Sequence, residues 1–88
     1  MGDNKITIGD DKMPPEMRQD AIRCATTAIG LYSSYYDIAT YIRDTFDDMY
    51  GKYWQCLAGY DRYCGTFPSC YYIELKWGNN WIVLFKTN

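Results

Sequence analysis

The sequence predicts an α+β domain in which two amphipathic helices cover an antiparallel sheet, with elements in the order β-α-α-β-β-β-β. Three observations carry this. Residues 1–30 contain no aromatic side chain, and all sixteen lie between Tyr32 and Phe85. Two stretches in the first half repeat apolar residues at helical spacing, whereas the last third alternates at the spacing of a strand. The length, 88 residues, is enough for one domain spanning 1–88 and too short for two.

The first element is Ile6-Thr7-Ile8, a short alternating strand. Pro14-Pro15 then opens a helix, where a missing N–H costs nothing, and Glu16 suits its first turn. Met17, Ala21, Cys24, Ala25, Ala28, Ile29 and Tyr32 form one apolar face. Ser34 with Asp37 resembles a capping box at the start of a second helix. Its stripe is Ile38, Ala39, Ile42, Phe46, Met49 and Tyr50, and Gly51 is its stop signal. Asp47 and Asp48 are expected on a solvated face. Strands are expected at 53–59 (YWQCLAG), at 64–69 and at 71–77. In the last of these Tyr71, Ile73, Leu75 and Trp77 share one side and Tyr72, Glu74 and Lys76 the other. Gly78-Asn79-Asn80 marks a turn into a closing strand, 81–86 (WIVLFK).

Composition removes several classes of function. Hydrophobic residues make up 48% of the chain, against disorder, and the formal net charge is −2. No Lys/Arg cluster stands out, so neither nucleic acid nor an anionic membrane surface is an expected partner. The longest apolar run, 81–85, is too short to span a bilayer. The opening MGDNKITIGDD has no apolar core, so a signal peptide is not expected, and the four cysteines are expected as free thiols in the cytoplasm. There is no histidine, which removes the commonest general base and the mixed Cys/His zinc sites. No phosphate loop, nucleophile elbow or paired-carboxylate constellation is present, so no enzyme, metal or cofactor is expected.

Residues 64–70, CGTFPSC, are ambiguous. Extended, they would separate Cys64 and Cys70 by about 20 Å, whereas a disulfide needs Cα atoms within about 7 Å. Pro68 cannot donate to a ladder, which confines such a strand to an edge. The residues leave two readings open: a protected edge that binds nothing, or an edge to which a peptide or second subunit adds a strand.

The matching stretches EMRQDAIRCAT (16–26), DIATYI (37–42), Phe46-Asp47, Tyr50, Trp54 with Cys56 and Gly59, GTFPS (65–69) and IVLFK (82–86) together resemble the eight-kilodalton dynein light chains over nearly the whole chain. The resemblance implies a homodimer in which each subunit extends one strand to the other's sheet. It also implies two grooves that take short disordered client segments, such as those of a dynein intermediate chain, as an added strand, often with a Thr-Gln-Thr-like core. The segment 64–69 would be the crossing strand. By resemblance the groove is lined by Cys64, Gly65, Thr66, Phe67, Pro68, Ser69, Glu74, Lys76, Trp81 and Val83 beside Tyr35 and Tyr36. Gln55, Thr66, Phe67 and Ser69 would meet the other subunit. The implied role is that of a cytoplasmic, microtubule-associated binding module. The chain departs from the family pattern at named places. Pro68 replaces a valine, Tyr35-Tyr36 replace Glu-Lys, Glu74 and Lys76 replace two groove tyrosines, Trp81 replaces an alanine, and Gln55 replaces a histidine. These changes are expected to shift the client preference or abolish it, leaving a structural dimer.

Overall fold

The computed structural model describes residues 5–60 and 71–86. Its elements are β1 (Thr7–Lys12), α1 (Pro15–Leu31), α2 (Tyr35–Tyr50), β2 (Trp54–Tyr60), β3 (Tyr72–Trp77) and β4 (Asn80–Lys86). The four strands form one antiparallel sheet in the order β1-β3-β4-β2. Both helices lie on one face of it, as expected for two helices on an antiparallel sheet. The strand expected at 64–69 falls outside the described residues.

The helix signals operate as local chemistry requires. Pro15 occupies the first turn of α1, and Tyr32 closes the helix by donating its N–H to Ala28 O at 2.9 Å. Ala21, Ala25 and Ala28 are completely buried; side chains this small let α2 approach closely. Ser34 Oγ accepts from the Asp37 N–H at 3.2 Å, the N-cap bond expected of that pair. Gly51 ends α2 at φ 80°, a conformation that favours glycine. Two members of the expected stripes are not on the core face. Tyr32 is 39% exposed because the chain has already left the helix there, and Met49 is 45% exposed. Met49 lies three residues beyond Phe46, and the drift of a 3.6-residue turn carries it to the flank, while Tyr50 packs inward.

Asp47 corrects the expectation of a solvated face. Its Oδ1 accepts the backbone N–H of Trp54 at 2.9 Å, spanning the turn from α2 into β2. Trp54 is 1% exposed. It stands edge-on to Phe46 at 4.9 Å between ring centroids, with Tyr50 at 6.4 Å and Tyr71 at 6.2 Å. Lys86 Nζ lies 5.4 Å from the same ring and donates to Lys52 O at 2.7 Å. Tyr50 in turn donates to Asp20 Oδ2 of α1 at 2.5 Å, and that bond, with burial, pushes its hydroxyl pKa up to about 12.

The β2–β4 ladder runs from Trp54↔Lys86 to Tyr60↔Asn80, and the β3–β4 hairpin from Tyr72↔Phe85 to Trp77↔Asn80. The hairpin closes through Gly78 and Asn79. Gly78, at φ 60°, supplies the positive φ that a two-residue hairpin turn needs. Strand alternation sends Trp54, Ile73, Leu75, Ile82 and Leu84 under the helices, where all are buried. At the β1 edge the register shifts between Ile8 and Asp11, a bulge centred on Gly9 and Asp10.

A charged acceptor on a partly buried N–H contributes on the order of 1–3 kcal/mol. Asp47→Ala is therefore expected to destabilise the fold by about 1–2 kcal/mol in urea unfolding, at the lower end because the aspartate is half-exposed. Asp47→Asn, which keeps an acceptor oxygen, should lose less. Equal loss for both would show that the charge and not the acceptor matters.

Candidate functional site

The sheet face turned away from the helices is a regular lattice built by the two ladders. One row across β3, β4 and β2 is Tyr72, Phe85 and Gln55; the next is Glu74, Val83 and Leu57; the third is Lys76, Trp81 and Gly59. The structure thus gathers Glu74, Lys76, Trp81, Val83 and Gln55, five of the residues singled out in the sequence, on this outer face. Val83 is completely buried by its neighbours, whereas Leu57 is 49% exposed. Trp81 is packed down on β2: a Cβ at Gly59 would stand 2.5 Å from Trp81 Cζ2. The glycine is what lets the indole lie flat across the strand.

Tyr35 and Tyr36 are placed differently. They form the first turn of α2, on the helix side. Tyr35 is tied to the sheet where its hydroxyl donates to Asn80 Oδ1 at the head of β4. Asn80 Nδ2 also donates to Trp77 O at 3.1 Å. The same side chain therefore links the hairpin to the start of α2. Tyr36 is 77% exposed. Cys64, Gly65, Thr66, Phe67, Pro68 and Ser69 lie outside the described residues.

Sequence reasoning missed Leu57, Gly59, Tyr72 and Phe85 as members of this face. Their period-two relation to Gln55, Glu74 and Val83 was the available signal. It also missed the position of β2 at the edge of the sheet, which depends on strand order and has no sequence signature. From Trp54 to Tyr60 (WQCLAGY) this edge strand carries no charge and no proline. Leu57 and Tyr60, the latter 63% exposed, stand along it. Among the described residues its outer edge has no paired strand. Natural edges are usually blunted by charge, proline or a bulge, and β2 has none of these.

Burial raises the thiol pKa of both Cys24 and Cys56, which keeps them protonated at neutral pH, as expected of small core residues. Among the described residues no group of three His, Cys, Asp or Glu side chains is arranged to hold a metal ion, and no helix is long and apolar enough to cross a membrane. An open cleft of about 500 Å³ lies on the helix layer between Tyr32 and α2, lined by Asp37, Tyr41, Asp44 and Asp48 among others, and includes no outer-face residue.

Known structures share this architecture. The dynein light chain-like domain of the Fasciola hepatica calcium binding protein FhCaBP2 superposes with a TM-score of 0.85 at 19% identity, covering 98% of this chain and 94% of that one. The DLC-like domain of CsTAL3, residues 83–177, gives 0.77 at 16% identity, with 93% and 92% covered. At such identities the likeness is one of fold. The family match extends further into the sequence, since residues 5–87 fit the family described as dynein light chain type 1. The chain belongs to the dynein light chain family.

Proposed function

We propose that this chain is a non-enzymatic binding module that works as a homodimer, with residues 1–88 acting as one domain. It would take short disordered client segments by strand addition, as a cytoplasmic, microtubule-associated light chain of a dynein motor or as a hub joining pairs of clients. A dynein intermediate chain is the expected partner within a motor. The observation that carries the reading is β2, an uncharged seven-residue edge strand beside the outer face. An unguarded edge in a domain this small calls for a covering strand, and membership of the family supports a crossing segment of a second copy in that role. Two clients held side by side gain from effective concentration, so each site needs only modest affinity. No metal or cofactor is required. Sedimentation should give a dimer at about 10–50 μM, the range of ordinary weak affinities; a monomer there overturns the reading.

A second reading keeps the dimer and changes its clients, and Trp81 favours it. Its indole fills the space over Gly59, volume that a bound side chain would otherwise use. Trp81→Ala should then raise affinity for a Thr-Gln-Thr peptide by several-fold in a calorimetric titration, a gain on the order of 1 kcal/mol. Unchanged affinity would remove Trp81 from the groove.

Gln55 is exposed on the outer face and cannot titrate. A histidine there, if covered by a second subunit, would have its charged form disfavoured and its pKa lowered in the dimer. The dimer would then lose stability as pH falls through the ordinary histidine range, near 6.5. The wild-type dissociation constant should stay nearly flat from about pH 7 to 5, while Gln55→His weakens the dimer steeply toward pH 5. Sedimentation equilibrium across that window checks this. Equal weakening in both proteins would refute it.

A further inference from the structure

The helix α2 runs along β2 in the opposite sense. Near its C-terminal end Asp47 holds the Trp54 N–H. At its N-terminal end Tyr35 bonds Asn80, which pairs with Tyr60 at the far end of the strand. Three consecutive residues show which flank of α2 overhangs the open edge. Ile42 is completely buried in the core. Tyr41 packs on Tyr32 at the end of α1, with 6.0 Å between ring centroids. Arg43 stands about 200° around the helix from Tyr41, so it faces the other way. α1 packs on β3, whereas α2 packs on β2 and β4. With the order β1-β3-β4-β2, the flank turned away from α1 looks out past β2.

The position of Arg43 along the edge follows from the same tie. Arg43 lies one turn before Asp47, about 6.0 Å back along the helix axis. Cys56 lies two residues beyond Trp54, about 6.7 Å along the strand. The two residues therefore come level. Burial raises the Cys56 thiol pKa, and the Arg43 charge draws it back down, as this proximity requires. The guanidinium is only partly engaged. Nε and Nη2 donate to the same oxygen, Asp44 Oδ1, at 3.1 and 2.9 Å. An arginine carries five N–H groups, and among the described residues the others have no acceptor. The side chain is 43% exposed.

A strand added at β2 lies about 4.8 Å beyond it, beneath this flank. An apolar side chain placed there would strip water from the guanidinium and return nothing for it. An acceptor oxygen takes the place of that water. We infer that the strand of a second copy that covers β2 presents an acceptor oxygen to Arg43 on the helix side of the sheet, level with Cys56. Arg43 then sets the register of that strand, because a slip of one residue would turn the acceptor to the outer face. The inference rests on the dimer reading above and adds to it a contact on the helix layer.

Sedimentation equilibrium of the whole chain tests it. Arg43→Met keeps the apolar stem and removes every donor; it should raise the dimer dissociation constant about tenfold. Arg43→Lys keeps the charge but loses the planar fork, and about a threefold rise is expected; it carries the test if the methionine variant does not fold. Arg23→Met removes the same charge from α1 and should leave the constant unchanged. So should Asp44→Asn, since an exposed pair between sequence neighbours contributes little. If no Arg43 variant that folds weakens the dimer, the contact is overturned and the dimer reading stands. Equal weakening by Arg43→Met and Asp44→Asn would assign the effect to the pair within α2 and overturn the inference. Equal weakening by Arg23→Met would assign it to net charge, with the same result. A wild-type monomer at about 10–50 μM removes the dimer reading and this inference with it.

Discussion

Trp54 fixes the sheet to the helix layer. Its side chain is buried against Phe46 of α2, its backbone N–H is held by Asp47 of the same helix, and Lys86 of β4 lies over its ring. These contacts come from three directions, and they act on the first residue of β2. Removing a buried tryptophan costs on the order of 3–5 kcal/mol, so this is a heavy constraint for an 88-residue domain. The consequence lies on the opposite face. A strand has a period of two, so holding Trp54 inward turns Gln55, Leu57 and Gly59 outward, and a slip of one residue would reverse all of them. The ladder that begins at Trp54↔Lys86 then places Gly59 opposite Trp81 and Leu57 opposite Val83. The outer face is a by-product of inner-face packing.

The helix α2 can act as a frame because both its ends are tied. At its C-terminal end Tyr50 bonds Asp20 of α1, and Asp47 holds the entry to β2. At its N-terminal end Tyr35 bonds Asn80, the residue that also closes the β3–β4 hairpin. Each tie crosses from one layer or element to another, and each uses a side chain whose neighbours are already ordered by a cap or a turn. Little extra conformational entropy is lost in making such bonds, which is why single hydrogen bonds suffice at these points.

Much of this was legible in the sequence, and the reasons are local. Ser34, Gly51, Pro15 and Gly78 act through the backbone within a few residues, so their roles follow from type and position. Period-two alternation assigned Ile73 and Leu75 to the core and Glu74 and Lys76 to the other side for the same reason. The misses are relations between distant parts of the chain. Asp47 looked like a solvent-facing helix residue because its acceptor role depends on where the chain returns at Trp54. Met49 was assigned inward by a stripe that the true helical period carries past the core. That Gln55, Glu74, Lys76, Trp81 and Val83 share the outer face was legible from alternation and family resemblance. The packing of Trp81 on Gly59 was not, because it depends on the β2–β4 register.

Strand order decides which side of the sheet can grow. Among the described residues the sheet has two edges, β1 and β2, and they are treated oppositely. β1 is short and bulged, and it places Asp10, Asp11 and Lys12 along its length, with Asp11 held by Arg18 at 3.1 Å and Asp10 by Tyr72. A strand arriving there would meet broken register and charges already engaged. β2 is regular over seven residues, uncharged, and paired without interruption to β4, so its far edge presents an even row of backbone donors and acceptors. Sheet growth is thus permitted on one side and opposed on the other. Gln55, Leu57 and Gly59 belong to that same permissive strand, so whatever pairs with its edge also comes to lie beside the outer face. Edge and face are two aspects of β2, and an occupant of one is guided by the other.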